Sequence, residues 1–260
     1  MHPDRDEIAA LNNAAWCAAV WRSHGLPVEQ AAGLWFCRGR TPLFYPNVVT
    51  VERGADPGAQ VALIGDLCRS GSDPDFSIKD SFSVLDPRAM GLTPLFETRW
   101  LWRDPDGTAD PGAPGWRRIV DPLGLDAWEV AWRGGDRAGQ RIFLPGLLSD
   151  AHIAILAGFD ARGEIRAGAI AHEAAGAVAI GNVFGLYGAA IEAVSALFPG
   201  HPLVGYERGD ALESALGHGF KALGPLRVSV KSGDALTPAP DRPGPWGESV
   251  AVGGTPAFRR

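Results

Sequence analysis

A repeat of fixed spacing is the feature that most constrains the fold of this 260-residue chain. In both halves, a glycine followed by an apolar residue precedes a run of strand-forming residues. Coincidence between two unrelated α+β segments is the alternative, but the inferred order of helices and strands also agrees between the halves. We therefore predict an α+β protein of two tandem halves, each a mixed, mostly antiparallel sheet flanked by helices. Three pairs of identical residues lie 128 positions apart: Gly91 and Gly219, Leu95 and Leu223, and Arg99 and Arg227.

A segment rich in Pro, Gly and Asp separates the halves. Residues 104–115 carry almost no apolar side chains and cannot build a core, so they are predicted to form a linker. The N-terminal domain would then span residues 1–103 and the C-terminal domain residues 116–231. Residues 232–260 are again rich in Pro and Gly and are predicted to be an extended or disordered tail.

Hydrophobic periodicity and turn residues place the elements within each half. Helices are predicted at 7–22, 59–69, 125–133, 189–198 and 210–216. Strands are predicted at 33–37, 46–51, 76–81, 95–102, 151–159, 164–172, 177–184 and 202–207, with closing strands after Phe220.

Composition excludes several classes of protein. The formal charge is −6 and no block of Lys and Arg occurs, which disfavours nucleic-acid binding. The N-terminus is polar and acidic, and no long apolar run follows, so neither a signal peptide nor a membrane span is expected. Cys17, Cys37 and Cys68 lack the spacing of a disulfide framework or a zinc site, and the histidines show no ligand spacing either. These features predict a cytoplasmic protein without a metal.

Residues 164–230 carry a set of motifs in a characteristic order. They comprise a hairpin, a strand ending in Asn182-Val183-Phe184, a glycine turn, a helix, a strand and a short helix, and they end with Gly219-Phe220 opening the last strand. This arrangement resembles the centre of an acyltransferase domain of the GNAT superfamily. The resemblance implies a fold in which two adjacent parallel strands splay apart and admit the pantetheine arm of acetyl-CoA or another acyl-CoA.

The same resemblance implies roles for particular residues. Backbone groups of Asn182, Val183 and Phe184 would pair with the pantetheine amides. Gly185, Gly188 and Ala189 would receive the pyrophosphate at a helix N-terminus. An amine would attack the thioester directly from the opposite face, since no nucleophile with an adjacent base is discernible.

The chain departs from the family pattern at two places. The pyrophosphate turn, Phe184-Gly185-Leu186-Tyr187-Gly188-Ala189, has no initial Arg or Gln and is short, so an ordinary turn is the alternative interpretation. Ala215 holds the place of the Tyr that often protonates the leaving thiolate.

Two residues of one strand, Tyr206 and Glu207, are the leading candidates for proton transfer. Glu207 is the preferred general base, with Glu173 and His172 as further candidates, and Tyr206 could replace the missing Tyr as the acid. The alternatives are that Glu207 pairs with Arg208, Arg227 or solvent, that the Tyr206 hydroxyl bonds a backbone carbonyl, and that His172 is a surface residue of the hairpin.

The first half retains less of the motif and is not expected to bind acyl-CoA. Lys79 and Asp80 would face a cleft between the halves or lie on a solvated edge strand. The leading hypothesis is an acyl-CoA-dependent N-acyltransferase that acetylates a small-molecule amine. A catalytically inactive GNAT-like protein that binds a small molecule or a partner is the alternative. A leftover sheet edge in each half is compatible with a homodimer.

Overall fold

The computed structural model describes residues 4–71, 73–105 and 114–231. All the predicted helices and strands are present, together with two short strands that were not predicted, Glu29–Ala31 and Trp116–Arg118. The predicted tail lies outside these ranges, as does most of the predicted linker. The helices are α1 (Arg5–Ser23), α2 (Pro57–Ser70), α3 (Pro122–Trp132), α4 (Tyr187–Leu197) and α5 (Gly209–Gly217). The strands are β1 (Glu29–Ala31), β2 (Leu34–Phe36), β3 (Val48–Thr50), β4 (Ser77–Asp80), β5 (Leu92–Arg103), β6 (Trp116–Arg118), β7 (Ile153–Phe159), β8 (Ile165–Ala174), β9 (Ala177–Phe184), β10 (Leu203–Glu207) and β11 (Lys221–Lys231).

Aspartate residues set the starts of the first three helices. Asp4 forms a capping box with Glu7 at the start of α1. Asp56 accepts a hydrogen bond from a first-turn N–H of α2, and Asp121 accepts two in α3. Each cap of this kind stabilises a helix by about 1 kcal/mol, because it satisfies N–H groups that have no partner within the helix. These helix starts are therefore determined by local sequence.

The strands form one mixed sheet in the order β1-β2-β3-β4-β11-β5-β10-β9-β8-β7-β6. Two neighbouring pairs are parallel, β3 with β4 and β9 with β10, and the other pairs are antiparallel. The last strand of each half pairs with a strand of the other half. β11, from the second half, pairs with β4 of the first, and β5, from the first half, pairs with β10 of the second. The sequence boundary at 104–115 thus joins two segments that share a sheet, and the domain limits themselves stay a prediction.

The central strands carry the sequence repeat in their register. In the pairing of β5 with β11, Arg99 lies opposite Pro225 and Arg227 lies opposite Glu97. Arg99 and Arg227 are 128 residues apart, and so are Glu97 and Pro225. The two contacts therefore correspond to each other, as an approximate two-fold relationship between β5 and β11 requires.

Helices cover both faces of the sheet. On one face, α1 and α3 enclose a core that contains Trp16, Trp21 and Trp128. On the other face, α4 packs through Ile191 and Val194. The amide of Asn12 in α1 donates to three carbonyl groups of the hairpin formed by β8 and β9, at 2.9 to 3.2 Å. The first helix is thereby fastened to strands of the second half.

Strand β4 lies inside the sheet, between β3 and β11, and not at a solvated edge. All four of its residues are buried, including Lys79 and Asp80. The edge-strand alternative is therefore wrong, because β11 from the second half covers the side that would have been open. Across the described ranges, the helices are all too short or too polar to cross a bilayer.

Candidate functional site

The parallel strands β9 and β10 pair only where they begin. β9 stays paired with β8 as far as Phe184, and β10 stays paired with β5 as far as Glu207. The facing residues 180–184 and 205–207 are not paired with each other. We call the stretch between these unpaired strand ends the opening. Within these fully described strands, two residue pairs are joined: Leu203 with Val178, and Val204 with Ala179.

The corresponding parallel pair in the first half is bridged. Strands β3 and β4 pair at Val48 and Val49. Beyond them, the Ser81 N–H donates to the Thr50 hydroxyl at 2.7 Å, and both residues are buried. A side chain therefore occupies the place where β3 and β4 would otherwise separate.

Helix α4 begins directly after the opening and has no side-chain cap. The turn before it contains Gly185 at φ 77°, where an added Cβ would lie 2.6 Å from the Arg166 carbonyl oxygen. Leu186 occupies the cap position and provides no side-chain hydrogen bond. In an α-helix the N–H groups of the first turn have no acceptor within the helix, so Gly188 and Ala189 present donors at the positive end of the helix dipole.

His218 lies beside this helix start. An added Cβ on Gly188 would be 2.8 Å from the His218 Nε2. The His218 Nδ1 lies 2.8 Å from the Ser214 carbonyl oxygen, which can only accept, so Nδ1 carries the proton and Nε2 is directed toward Gly188. The ring also packs edge-on against Tyr187 at 5.6 Å. An exposed imidazole thus accompanies a turn that has no Arg or Gln of its own.

Glu207 ends β10 at the mouth of the opening. Its Oε2 is screened from solvent and has no hydrogen-bond partner. Burial raises the pKa of this carboxyl to about 8, so it is protonated at neutral pH. The expected alternative of pairing with Arg227 is not found, since Arg227 binds Glu97 at 2.8 Å.

Asp80 holds the corresponding place in the first half. It lies opposite Arg227 on β11, as Glu207 lies opposite Arg99 on β5. The Asp80 carboxylate accepts hydrogen bonds from two backbone N–H groups of the following turn, at 2.9 and 3.3 Å. Burial raises its pKa as well. One acidic residue of the pair is thus committed to a turn, whereas the other has an unpartnered oxygen.

Tyr206 points to the opposite face of the sheet from Glu207, because successive residues of a strand alternate between faces. Its hydroxyl accepts a hydrogen bond from Lys79 Nζ at 3.2 Å, and Lys79 also donates to Asn13 Oδ1 at 3.0 Å. The Tyr206 ring packs edge-on against Trp100 at 5.6 Å. The bond to a backbone carbonyl that was the alternative for Tyr206 is replaced by a bond to a buried lysine.

Asn182 connects the opening to the first half. It adopts φ 52°, in the left-handed region. Its side chain lies near Tyr45, whose hydroxyl accepts a hydrogen bond from Trp16 Nε1 at 3.1 Å. Burial holds the pKa of Tyr45 well above its usual value. A loop of the first half therefore reaches the strand that borders the opening.

The two remaining candidates for the general base, His172 and Glu173, each contact other side chains. His172 is 5% exposed and packs against Trp16 at 5.9 Å, so the expectation of a surface residue is wrong. Burial lowers the pKa of His172 to about 4. The carboxylate oxygens of Glu173 lie 3.5 Å from His152 Nδ1 and from His201 Nε2. In the part of the chain that the structure describes, no group of ligating side chains could hold a metal ion.

The structure brings the candidate cofactor-binding residues together but separates the two candidate catalytic residues. Residues 182–189 follow one another along the end of β9 and into α4. Glu207 shares the face of α4, whereas Tyr206 faces α1. Ala215, at the place of the family tyrosine, is fully buried in the apolar core under α4.

Sequence reasoning assigned no role to Tyr187, His218 or Tyr45. Tyr187 could have been found, since it is the first residue of a helix that follows the glycine turn. His218 is about 30 residues from Gly188 in the sequence, and no spacing rule links them. Tyr45 lies in the other half of the chain, so only the packing of the halves places it near Asn182.

Comparison with known proteins identifies the fold. No protein-family model matches the sequence, and no curated protein matches it. A GCN5-related N-acetyltransferase from Kribbella flavida superposes with a TM-score of 0.57 at 15% identity, over 86% of this chain and 96% of that chain. A structure described as a "Putative Acetyltransferase from the GNAT family" from Novosphingobium aromaticivorans gives a TM-score of 0.52 at 15% identity, over 85% of this chain and 97% of that chain. The chain therefore has the fold of the GNAT acetyltransferases.

Proposed function

We propose that this protein is an acyl-CoA-dependent N-acyltransferase that uses the opening between β9 and β10. The single observation that carries the proposal is the end of pairing after Ala179 and Val204, while both strands continue. Strand edges in the interior of a sheet have N–H and C=O groups that require partners. An extended chain with amide groups, such as pantetheine, supplies them in the manner of an added strand.

The residues around the opening fit an acyl-CoA. Asn182, Val183 and Phe184 would present backbone groups to the pantetheine arm. Gly188 and Ala189 would present first-turn N–H groups of α4 to the pyrophosphate, where the helix dipole favours negative charge. His218 would add a donor when protonated, in place of the Arg or Gln that the turn lacks. The first half would not bind a second acyl-CoA, because Thr50 and Ser81 bridge its strands.

The reaction would be direct transfer. An amine would attack the thioester carbonyl from the face of α1, where residues of the first half border the opening. Glu207 and Tyr206 lie on opposite faces of β10, so each would act on a different reactant. Acetyl-CoA is the proposed donor and a small-molecule amine the proposed acceptor.

A second candidate function is a GNAT-like protein that binds a ligand or a partner without transferring acyl groups. Ala215 favours it, because its methyl group cannot donate a proton and it is buried in the apolar cluster under α4. This candidate predicts that acetyl-CoA binds and remains intact, or that it does not bind.

Thermal unfolding with acetyl-CoA, desulfo-CoA and longer acyl-CoAs tests the proposal. A ligand that binds the folded state raises its stability by about 2.7 kcal/mol at a hundredfold excess over Kd. Absence of any shift at millimolar acetyl-CoA would exclude the proposed transferase.

A matched pair of variants tests the location. Ala189→Glu places a carboxylate in the first turn of α4, where it favours the helix but repels phosphate. Ala189→Gln is the neutral control. We expect Ala189→Glu to keep its melting temperature and lose the shift with acetyl-CoA, while Ala189→Gln retains the shift. Equal shifts in both variants would place the ligand elsewhere.

A further inference from the structure

We propose that Glu207 is the proton donor to the departing CoA thiolate, and not the base that deprotonates the amine. The inference rests on the proposed function, since it concerns the leaving group of the same reaction. It reverses the role that sequence reasoning assigned to Glu207.

The first observation is the face to which Glu207 belongs. Leu203 and Glu207 lie on the same face of β10, because they are four residues apart in a strand. Leu203 packs under α4 with Ile191 and Val194. Burial raises the pKa of Tyr187, the first residue of α4, and the Glu207 carboxylate, once ionised, acts in the same direction, so the carboxyl lies near that helix start. Glu207 and the proposed pyrophosphate site therefore share one face of the sheet.

The second observation is the chemistry of the other face. There, Tyr206, Lys79 and Asn13 form a hydrogen-bonded group beneath α1. A CoA bound at the start of α4 enters the opening from the face of the sheet that carries Glu207. Its sulfur is part of the CoA molecule and therefore comes from that face. The amine enters from the other face. Glu207 is thus on the side of the leaving group.

The third observation is the protonation state of the Glu207 carboxyl. Its Oε2 has no partner, so the proton it carries is not committed to another protein group. Burial raises the pKa to about 8, close to that of an ordinary thiol, which suits proton transfer to a thiolate near neutral pH. Near it, α4 contributes Tyr187, and β5 places Arg99 opposite in register. The corresponding residue, Asp80, cannot act in this way because its oxygens accept two backbone hydrogen bonds.

The fourth observation is the lack of a hydroxyl group at the buried positions of α5, since Ser214, which carries a hydroxyl, is not among them. Ala211 and Ala215 are the buried residues of that helix. A proton donor for the thiolate must therefore come from another element, and β10 supplies Glu207.

The amine nitrogen forms a bond to the thioester carbonyl carbon, and the bond between carbon and sulfur breaks with its electron pair moving to sulfur. The Glu207 carboxyl gives its proton to that sulfur, so that CoA leaves as a thiol. The nitrogen loses a proton to water, and Glu207 is reprotonated from solvent before the next turnover.

The pH dependence of the rate distinguishes an acid from a base. Acetyl-CoA with hydroxylamine is a suitable probe, because hydroxylamine is already a neutral nucleophile at pH 7. Release of CoA thiol is measured from pH 6 to 10. We expect the rate to fall tenfold per pH unit above about pH 8, as the Glu207 proton is lost. A rate that instead falls below pH 8 would assign Glu207 the role of base and overturn the inference.

Substitution gives the second test. We expect Glu207→Gln to lower kcat by about 10²–10⁴-fold with acetyl-CoA. The loss should be much smaller with an S-aryl thioester of acetic acid, whose thiolate leaves without protonation. Glu213→Gln, an exposed change on α5, is the matched control and should retain the rate. A loss that is equal for both donors would overturn the inference.

Binding separates the two possible failures. Glu207→Gln is expected to show the same thermal shift with CoA as the unsubstituted protein, since the side chain acts on the proton and not on the anchor. If neither protein binds CoA, the proposed function itself fails. If both bind CoA and the unsubstituted protein releases thiol no faster than the reaction in solution, the proposed transferase fails while the binding site stands. If the unsubstituted protein transfers the acyl group and Glu207→Gln transfers it equally fast, the role of Glu207 fails while the proposed function stands.

Discussion

Lys79 and Tyr206 meet across the two halves of the chain. The Lys79 ammonium donates a hydrogen bond of 3.2 Å to the Tyr206 hydroxyl and lies 4.7 Å from the centre of its ring. Lys79 is opposite Val228 in the sheet, and Tyr206 is opposite Trp100. Val228 and Trp100 are 128 residues apart, so the two residues occupy corresponding positions in the halves. Their contact therefore joins corresponding positions of the two halves, which the approximate two-fold relationship between β5 and β11 brings together.

Removal of the Tyr206 hydroxyl is expected to destabilise the protein. Tyr206→Phe keeps the ring but takes away an acceptor from a buried ammonium, which costs about 1–3 kcal/mol. The free energy of unfolding in urea measures the change. A double-mutant cycle with Lys79→Met should give a coupling energy above about 0.5 kcal/mol. Additive effects of the two substitutions would show that the contact does not stabilise the fold.

Glu207 should make stability depend on pH. In the folded protein, burial raises the pKa of the Glu207 carboxyl to about 8, whereas its ordinary pKa is 4.5. Between these values the folded state binds one more proton than the unfolded state. The free energy of unfolding therefore falls as the pH rises through this window, by up to about 1.4 kcal/mol per unit, and levels off above it.

The test compares Glu207→Gln with the unsubstituted protein by urea unfolding from pH 5 to 9. The difference in stability between them should change in favour of the glutamine variant as the pH rises to about 8. Glu213→Gln provides the control, since that side chain is exposed. Parallel pH profiles for all three proteins would mean that Glu207 is not buried as a neutral acid.

Thr50 should matter for stability and not for ligand binding. Thr50→Val leaves the buried Ser81 N–H without its acceptor at 2.7 Å, and an unsatisfied buried donor costs about 1–3 kcal/mol. The thermal shift with acetyl-CoA should stay unchanged, because the proposed site lies between β9 and β10. Loss of the shift without loss of stability would indicate that the first half also binds the ligand.

The exchange of last strands predicts that neither half folds alone. Without the second half, β4 and β5 lose β11 from between them, and β10 loses β5 when the first half is removed. A fragment of residues 1–105 and one of residues 106–260 should each lack a cooperative unfolding transition. Co-expressed, they should copurify and unfold cooperatively. A cooperative transition in either fragment by itself would contradict the dependence of each half on the other.

Much of the secondary structure could be predicted because its causes are local. Asp56 and Pro57 start α2 through a cap and a fixed φ, and Asp160 and Gly163 close the hairpin between β7 and β8. The short strands β1 and β6 were not predicted, because three residues give too little periodicity. The candidate ligand-binding residues 182–189 could also be proposed from sequence, since they are consecutive.

The linear sequence determined the helices, most of the strands, the repeat of 128 residues and an acidic residue at the end of β10. Only the tertiary structure decided that β11 lies between β4 and β5, that Lys79 is buried beside Tyr206, and that Glu207 shares the face of α4 whereas Tyr206 faces α1. The physical reason is range: caps, turns and alternation act over a few residues. Strand order and burial depend on contacts between segments more than a hundred residues apart, and those same contacts give Glu207 its proton at neutral pH.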